Sequence, residues 1–126
     1  MKRAFVAIAA CLLMIGCGGG GGQSERVLND PRGAATAALK RDQRLVVTFP
    51  VNHGVGSDWV IGPKPRGDVV RYEGARYDPN EPQLPGSGGR QRFSFTARAK
   101  GTARLVFLNY FRGRIMQRRA LTVAVS

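Results

Sequence analysis

The segment 91–99, Gln-Arg-Phe-Ser-Phe-Thr-Ala-Arg-Ala, alternates without a break. Phe93, Phe95, Ala97 and Ala99 fall on one side of an extended chain, and Arg92, Ser94, Thr96 and Arg98 on the other. A period of two has no helical counterpart, so this stretch buries one face of a β-strand. Most of the chain after residue 34 follows the same grammar. Residues 44–51 (RLVVTFPV) are rich in β-branched side chains, and Pro50 marks a strand end or a sheet edge. Residues 58–62 (DWVIG) and 68–73 (DVVRYE) are short strands separated by Gly-Pro-Lys-Pro. Lys100-Gly101 is expected to turn the chain as a two-residue hairpin into 102–110, and 116–125 closes the sheet. Residues 34–39 (AATAAL) admit a helix on alanine content, but their shortness and the strand that follows favour a first strand. These signals indicate a small β-sandwich or barrel.

The first residues are of another kind. Lys2 and Arg3 precede an uncharged apolar run, 4–15, which ends in Met14-Ile15-Gly16-Cys17. The run is shorter than the roughly 20 residues a membrane-spanning helix needs, and it has the flanks of a secretory leader. It resembles the lipobox of bacterial lipoproteins, with Met14 where Leu is usual. That resemblance implies cleavage before Cys17 and acylation of its sulfur. The expected organisation is a lipoprotein signal peptide at 1–16, a flexible Gly-rich tether at 17–33 and a β-sandwich domain at 34–126. The tether, opened by Gly18–Gly22, would let the domain float on the order of 20 Å from a bilayer. The protein would be exported and lipid-anchored in the cell envelope, on the periplasmic face of either membrane or at the cell surface.

The chain carries 20 Lys and Arg against 8 Asp and Glu, a formal +12, which falls to +10 once residues 1–16 take Lys2 and Arg3 with them. Arg90, Arg92, Arg98 and Arg104 occupy polar strand positions, and Arg112, Arg114, Arg118 and Arg119 cluster in and after one loop. Aromatic residues are not interleaved with these cations on one face, so a nucleic-acid partner is not expected. The arginines read as a solvated exterior.

Catalytic chemistry has little to stand on. The two cysteines, Cys11 and Cys17, both lie in or at the end of the leader, which leaves no disulfide and no thiol nucleophile in the domain. His53 is the single histidine, and its spacing to Ser57 and Asp58 does not argue for a triad. No cofactor, metal ligand or catalytic residue is expected, and the chain is read as a binding module, not an enzyme. Asp78 and Glu81 are expected to shape a turn.

Three loop-like segments carry the functional reading. They are 52–59 (NHGVGSDW), 86–89 (GSGG) and 110–114 (YFRGR). In order and spacing they resemble the loops of the chagasin family, inhibitors of papain-type cysteine proteases. That family's motifs are Asn-Pro-Thr-Thr-Gly-x-x-Trp, Gly-x-Gly-Gly and Arg-Pro-Trp. Asn52, Gly56 and Trp59 match the first, Gly86, Gly88 and Gly89 the second, and Arg112 the Arg of the third. The resemblance covers roughly residues 34–126. It implies an all-β, immunoglobulin-like β-sandwich of six to eight short strands whose three loops occlude a protease cleft reversibly and without covalent chemistry. Asn52, His53, Gly54, Val55 and Gly56 would enter the cleft. Gly86, Ser87, Gly88 and Gly89 would grip one side, and Tyr110, Phe111, Arg112, Gly113 and Arg114 the other.

The departures are specific. His53-Gly54-Val55 replaces Pro-Thr-Thr, so Gly54 is expected to loosen the first loop. Arg112-Gly113-Arg114 lacks the family's Trp, leaving Tyr110 or Phe111 as replacements, of which one should face the core. Trp59 is expected in the core, Asn52 as a turn cap, and His53 as either a protease contact or a solvated residue. The expected partners are a papain-like cysteine protease and, through Cys17, a membrane; the chain is expected to be a monomer. Two other readings stand beside inhibition: an envelope sandwich that keeps the fold for structure or adhesion, and a polyanion-binding lipoprotein.

Overall fold

The computed structural model describes residues 24–82, 84 and 86–126; the leader, Cys17 and the polyglycine run lie outside the described residues. Eight strands appear among the described residues: β1 (Glu25–Asn29), β2 (Ala35–Leu39), β3 (Arg44–Val51), β4 (Ser57–Ile61), β5 (Val70–Pro79), β6 (Gly89–Ala97), β7 (Gly101–Phe111) and β8 (Arg114–Val125). A single 3-10 turn, His53–Val55, interrupts them. One sheet has the order β1-β3-β6-β5 and the other β2-β8-β7-β4, which is the expected two-sheet sandwich.

Alternation builds the core. Leu45, Val47, Phe49 and Val51 from β3 meet Phe93, Phe95 and Ala97 from β6, and these face Leu105 and Phe107 from β7 and Leu121, Val123 and Val125 from β8. The largest contacts are aromatic. Phe49 stacks on Trp59 at 4.1 Å between ring centroids and lies 5.1 Å from Phe107. Phe107 sits 5.1 Å from Phe93. Such pairs contribute about 0.5–1.5 kcal/mol each beyond the area they bury. Trp59 is therefore a core residue, as expected, with the Arg119 guanidinium 5.3 Å above its ring. Pro50 lies in β3 two residues beyond Thr48, where β1 stops, so it falls where the strand edge is uncovered.

The structure corrects the sequence reading at several places. Residues 24–33 are not all coil, because Glu25–Asn29 forms β1 and pairs in parallel with β3, from Glu25 opposite Arg44 to Asn29 opposite Thr48. Only Leu28 of this strand packs against the core, which is why it has no visible alternation. Lys100-Gly101 is not a hairpin turn. β6 and β7 belong to different sheets, and the chain crosses between them after Ala97. Both strands turn their apolar side to the same core, so they face one another across the sandwich instead of pairing. The crossing is fixed by Arg98 and Ala99, whose backbone N–H groups donate to the Val69 carbonyl at 2.7 and 3.3 Å. Gly101 (φ 151°) leaves no room for a side chain, since a Cβ there would lie 2.9 Å from Val69 Cγ2.

β5 is also longer than expected and reaches Pro79. A bulge between Tyr72 and Gly74 shifts its register against β6, which hides the period of two from a sequence reading. Asp78, placed in a turn from sequence, lies in this strand.

Candidate functional site

Strand direction brings the three predicted loops to one end of the sandwich. β3 runs into the first loop, β6 leaves the second, and β7 and β8 meet at the third. In the first, Asn52 has an extended backbone (φ −137°) and caps the 3-10 turn, its Oδ1 accepting from the Gly54 N–H at 3.1 Å. Gly56 closes the turn with φ 83°, in the left-handed region that suits glycine. Asn52 is thus the cap that was expected, and it does more. Its Nδ2 donates to the Gly86 carbonyl at 3.0 Å, joining the first loop to the second.

The second loop is braced from within. Ser87 N–H donates to Leu84 O at 3.0 Å and Asn80 Nδ2 to Ser87 O at 2.7 Å. Its glycines answer to close packing. A Cβ on Gly88 (φ 70°) would lie 2.8 Å from Val51 O, and one on Gly89 would lie 2.5 Å from Asp78 O and 2.7 Å from the Tyr77 hydroxyl. The backbone of this loop can approach β3 and β5 only without side chains.

The third segment is mostly strand. Tyr110 and Phe111 belong to β7 and Arg114 to β8, so the turn itself is Arg112-Gly113, with φ 52° and 82°. This is a two-residue hairpin, and two positive φ values mark a primed turn. The Arg112 N–H donates to Gly56 O at 2.9 Å, joining the third segment to the first. Neither Tyr110 nor Phe111 enters the core. A register shift between Asn109 and Tyr110 breaks the alternation that would have sent one inward.

These links frame a cleft of about 420 Å³ lined by Asn52, Val55, Ser57, Ser87, Gly88 and Phe111, among others. All three predicted segments contribute to it. Val55 and Phe111 stand exposed, at 49% and 38% of their surface. Leu84, Ile115 and Met116, which the sequence reading passed over, are exposed apolar residues in or beside the same loops. The visible signal for Leu84 was one aliphatic side chain between prolines in a polar loop.

His53 is exposed, as one of the two expectations had it, with 46% of its side chain open to solvent. Its ring also stacks on Tyr77 at 4.5 Å and its Nε2 lies 3.2 Å from Asp58 Oδ1, which holds it beside β5. Ser57 makes no hydrogen bond to that ring among the described residues, and no group of three or more His, Cys, Asp or Glu among them could hold a metal ion. Asp78 ties the second-loop end of the sheet together by pairing with Arg76 at 3.0 Å and Arg92 at 3.2 Å. Partial burial would raise its carboxyl, but the bonds from the two guanidiniums outweigh this and hold it below the usual carboxylate range. Asp30 is held low in the same way, against partial burial, by Arg32 and Arg119.

The fold has relatives of known structure. The cysteine protease inhibitor EhICP2 from Entamoeba histolytica superposes with a TM-score of 0.64 at 13% identity, over 81% of this chain and 96% of its own. Amebosin gives 0.64 at 18% identity, over 82% and 99%. PbICP-C, solved in complex with falcipain-2, gives 0.59 at 15% identity, over 82% and 91%. No curated protein matches the chain in sequence. The model of the chagasin family peptidase inhibitors, I42, matches residues 38–117, a span that includes all three loops. With more than half of its 126 residues inside that match, the chain belongs to the chagasin family of peptidase inhibitors.

Proposed function

We propose that this protein inhibits papain-like cysteine proteases reversibly by seating the three-loop end in the active-site cleft. The first loop, Asn52–Gly56, is the wedge, and the second and third segments flank it. The observation that carries this reading is the bracing of the loops: Asn52 bonds to Gly86, and Arg112 to Gly56. An inhibitor whose loops are ordered before binding loses less conformational entropy on association. The bracing also answers the substitution of Pro-Thr-Thr by His53-Gly54-Val55. Gly54 is held by the Asn52 cap, and a Cβ there would crowd Asn52 Oδ1 at 3.2 Å. Phe111 and Val55 supply the exposed apolar contact that the missing Trp would otherwise give. A protein of the same fold in complex with falcipain-2 supports a papain-like cysteine protease as the partner class. Titration of papain with the full chain tests the proposal. Competitive inhibition, with KM rising and kcat unchanged, is expected; full activity at tens of micromolar inhibitor overturns it.

The leader leads to a second, separate proposal: export and acylation at Cys17, which would hold the inhibitor in the cell envelope as a lipoprotein. Cys17→Ala should abolish labelling by radioactive fatty acid and leave the leader uncleaved. Unchanged labelling would refute the site.

A further inference from the structure

The end of the sandwich opposite the loops is built from three connections: 40–43 between β2 and β3, 62–69 between β4 and β5, and 98–100 between β6 and β7. Hydrogen bonds make them one surface. Asp42 N–H donates to Ala97 O at 2.8 Å and Ala97 N–H to Gln43 O at 2.9 Å, while Arg98 and Ala99 both donate to Val69 O. On that surface Lys40, Arg41, Lys64, Arg66, Arg98 and Lys100 are exposed, against Asp42 and Asp68. None of the six cations takes part in an ion pair among the described residues. Arg76, Arg92 and Arg119 are each paired with Asp78 or Asp30, whereas Arg90, Arg104, Arg112, Arg114 and Arg118 make no ion pair among the described residues. Six unpaired cations thus share this pole, and what sets it apart from the other unpaired arginines is the entry of the chain.

The chain enters here too. Ser24 precedes β1, whose first residue pairs with the first residue of β3, and Gln43 Nε2 donates to Ser24 Oγ at 3.1 Å. Cys17 lies seven residues before Ser24 in the sequence, a length of chain that spans at most about 25 Å when extended. An acyl group on Cys17 would therefore hold this pole, and not the loops, against the headgroups.

We infer that this basic pole docks on an anionic phospholipid surface and so points the three inhibitory loops away from the membrane. Charge complementarity and the point of chain entry both select a bilayer as the occupant. The one aromatic ring here, Tyr72, lies under Lys64 Nζ at 5.8 Å and packs on Phe95, so the surface offers no row of rings on which successive bases could stack, unlike a single-stranded nucleic-acid site. Each Lys or Arg near an anionic leaflet strengthens binding about fivefold, and the effect fades beyond a Debye length of about 8–10 Å. The inference extends the envelope reading, yet its test requires no acyl chain.

The test is co-sedimentation of the unacylated full chain with phosphatidylcholine vesicles and with vesicles containing phosphatidylglycerol. The ratio of the two affinities removes the contribution of the apolar leader common to both. A variant with Lys40, Arg41, Arg66 and Lys100 replaced by Gln should lower that ratio at least tenfold while inhibiting papain as the parent does. A control with Arg90, Arg112, Arg114 and Arg118 replaced by Gln loses the same net charge and should keep most of the ratio. Equal losses in the two variants, no preference for anionic vesicles in the parent, or tighter binding to a DNA fragment than to those vesicles would overturn the inference. These outcomes do not depend on acylation at Cys17 or on inhibition of papain, each of which has its own assay.

Discussion

The interior and the loop end of this sandwich are held by different physics. Inside, Phe49, Trp59, Phe93 and Phe107 pack through burial and ring contact, with no polar atom needed to choose their partners. At the loop end, Asn52, Gly56 and Gly88 hold the backbone by hydrogen bonds and close approach, while Val55 and Phe111 remain exposed. The first region maximises apolar burial. The second withholds it and leaves apolar surface open to solvent. A chain that folds by one set of residues and binds by another should lose stability and inhibition independently.

The largest break in that comparison comes from the core. Phe107→Ala should cost about 3–5 kcal/mol, since it removes a fully buried ring that touches three other aromatics. Thermal denaturation should show a fall of more than about 12 °C, with inhibition lost only because the domain unfolds. Gly89→Ala attacks the seam between the regions. With Asp78 O only 2.5 Å from the new methyl, it should cost about 1–3 kcal/mol and weaken inhibition even where the protein remains folded.

Asn52→Ala removes the cap and the link to Gly86 together. It should cost about 1 kcal/mol in denaturant unfolding but weaken papain inhibition tenfold or more. A smaller effect belongs to pH. Asp30 and Asp78 have carboxyls lowered in the folded state, so their ion pairs stabilise the fold above the unfolded carboxylate pKa near 3.8 and release that stability as pH falls through the lower folded values. The melting temperature should therefore drop between pH 5 and pH 2, and Asp30→Asn should flatten that drop. These pairs are partly exposed, and each contributes less than about 1 kcal/mol. Phe111→Ala should change stability least, within about 0.5 kcal/mol, while weakening inhibition about tenfold.

The same contrast explains what the sequence disclosed. Wherever apolar residues alternate, as in β3 and β6, the strand and its inner face were legible, and so was Trp59 as core. Asn52, the GSGG run and Arg112 were legible as loop residues through spacing and turn chemistry, and the first two converge with Phe111 on one cleft. Three features were hidden. β1 packs little of itself into the core, so it leaves no periodic trace. The crossing at 98–100 looks like a hairpin because both flanking strands bury the same kind of face, and only the sheet assignment separates the two cases. The bulges at Tyr72/Gly74 and Asn109/Tyr110 reset which side chains point inward, and this moved Tyr110 and Phe111 out of the core. His53 was opaque for another reason: its partners, Tyr77 and Asp58, are set by tertiary contact.

The most direct measurement of the central claim pairs inhibition with stability in one protein, the double variant Val55→Ala/Phe111→Ala. The parent chain should inhibit papain competitively. The variant should keep the parent's melting temperature within about 3 °C while its inhibition constant rises at least tenfold. An unchanged inhibition constant at unchanged stability would show that the three-loop end is not the inhibitory surface.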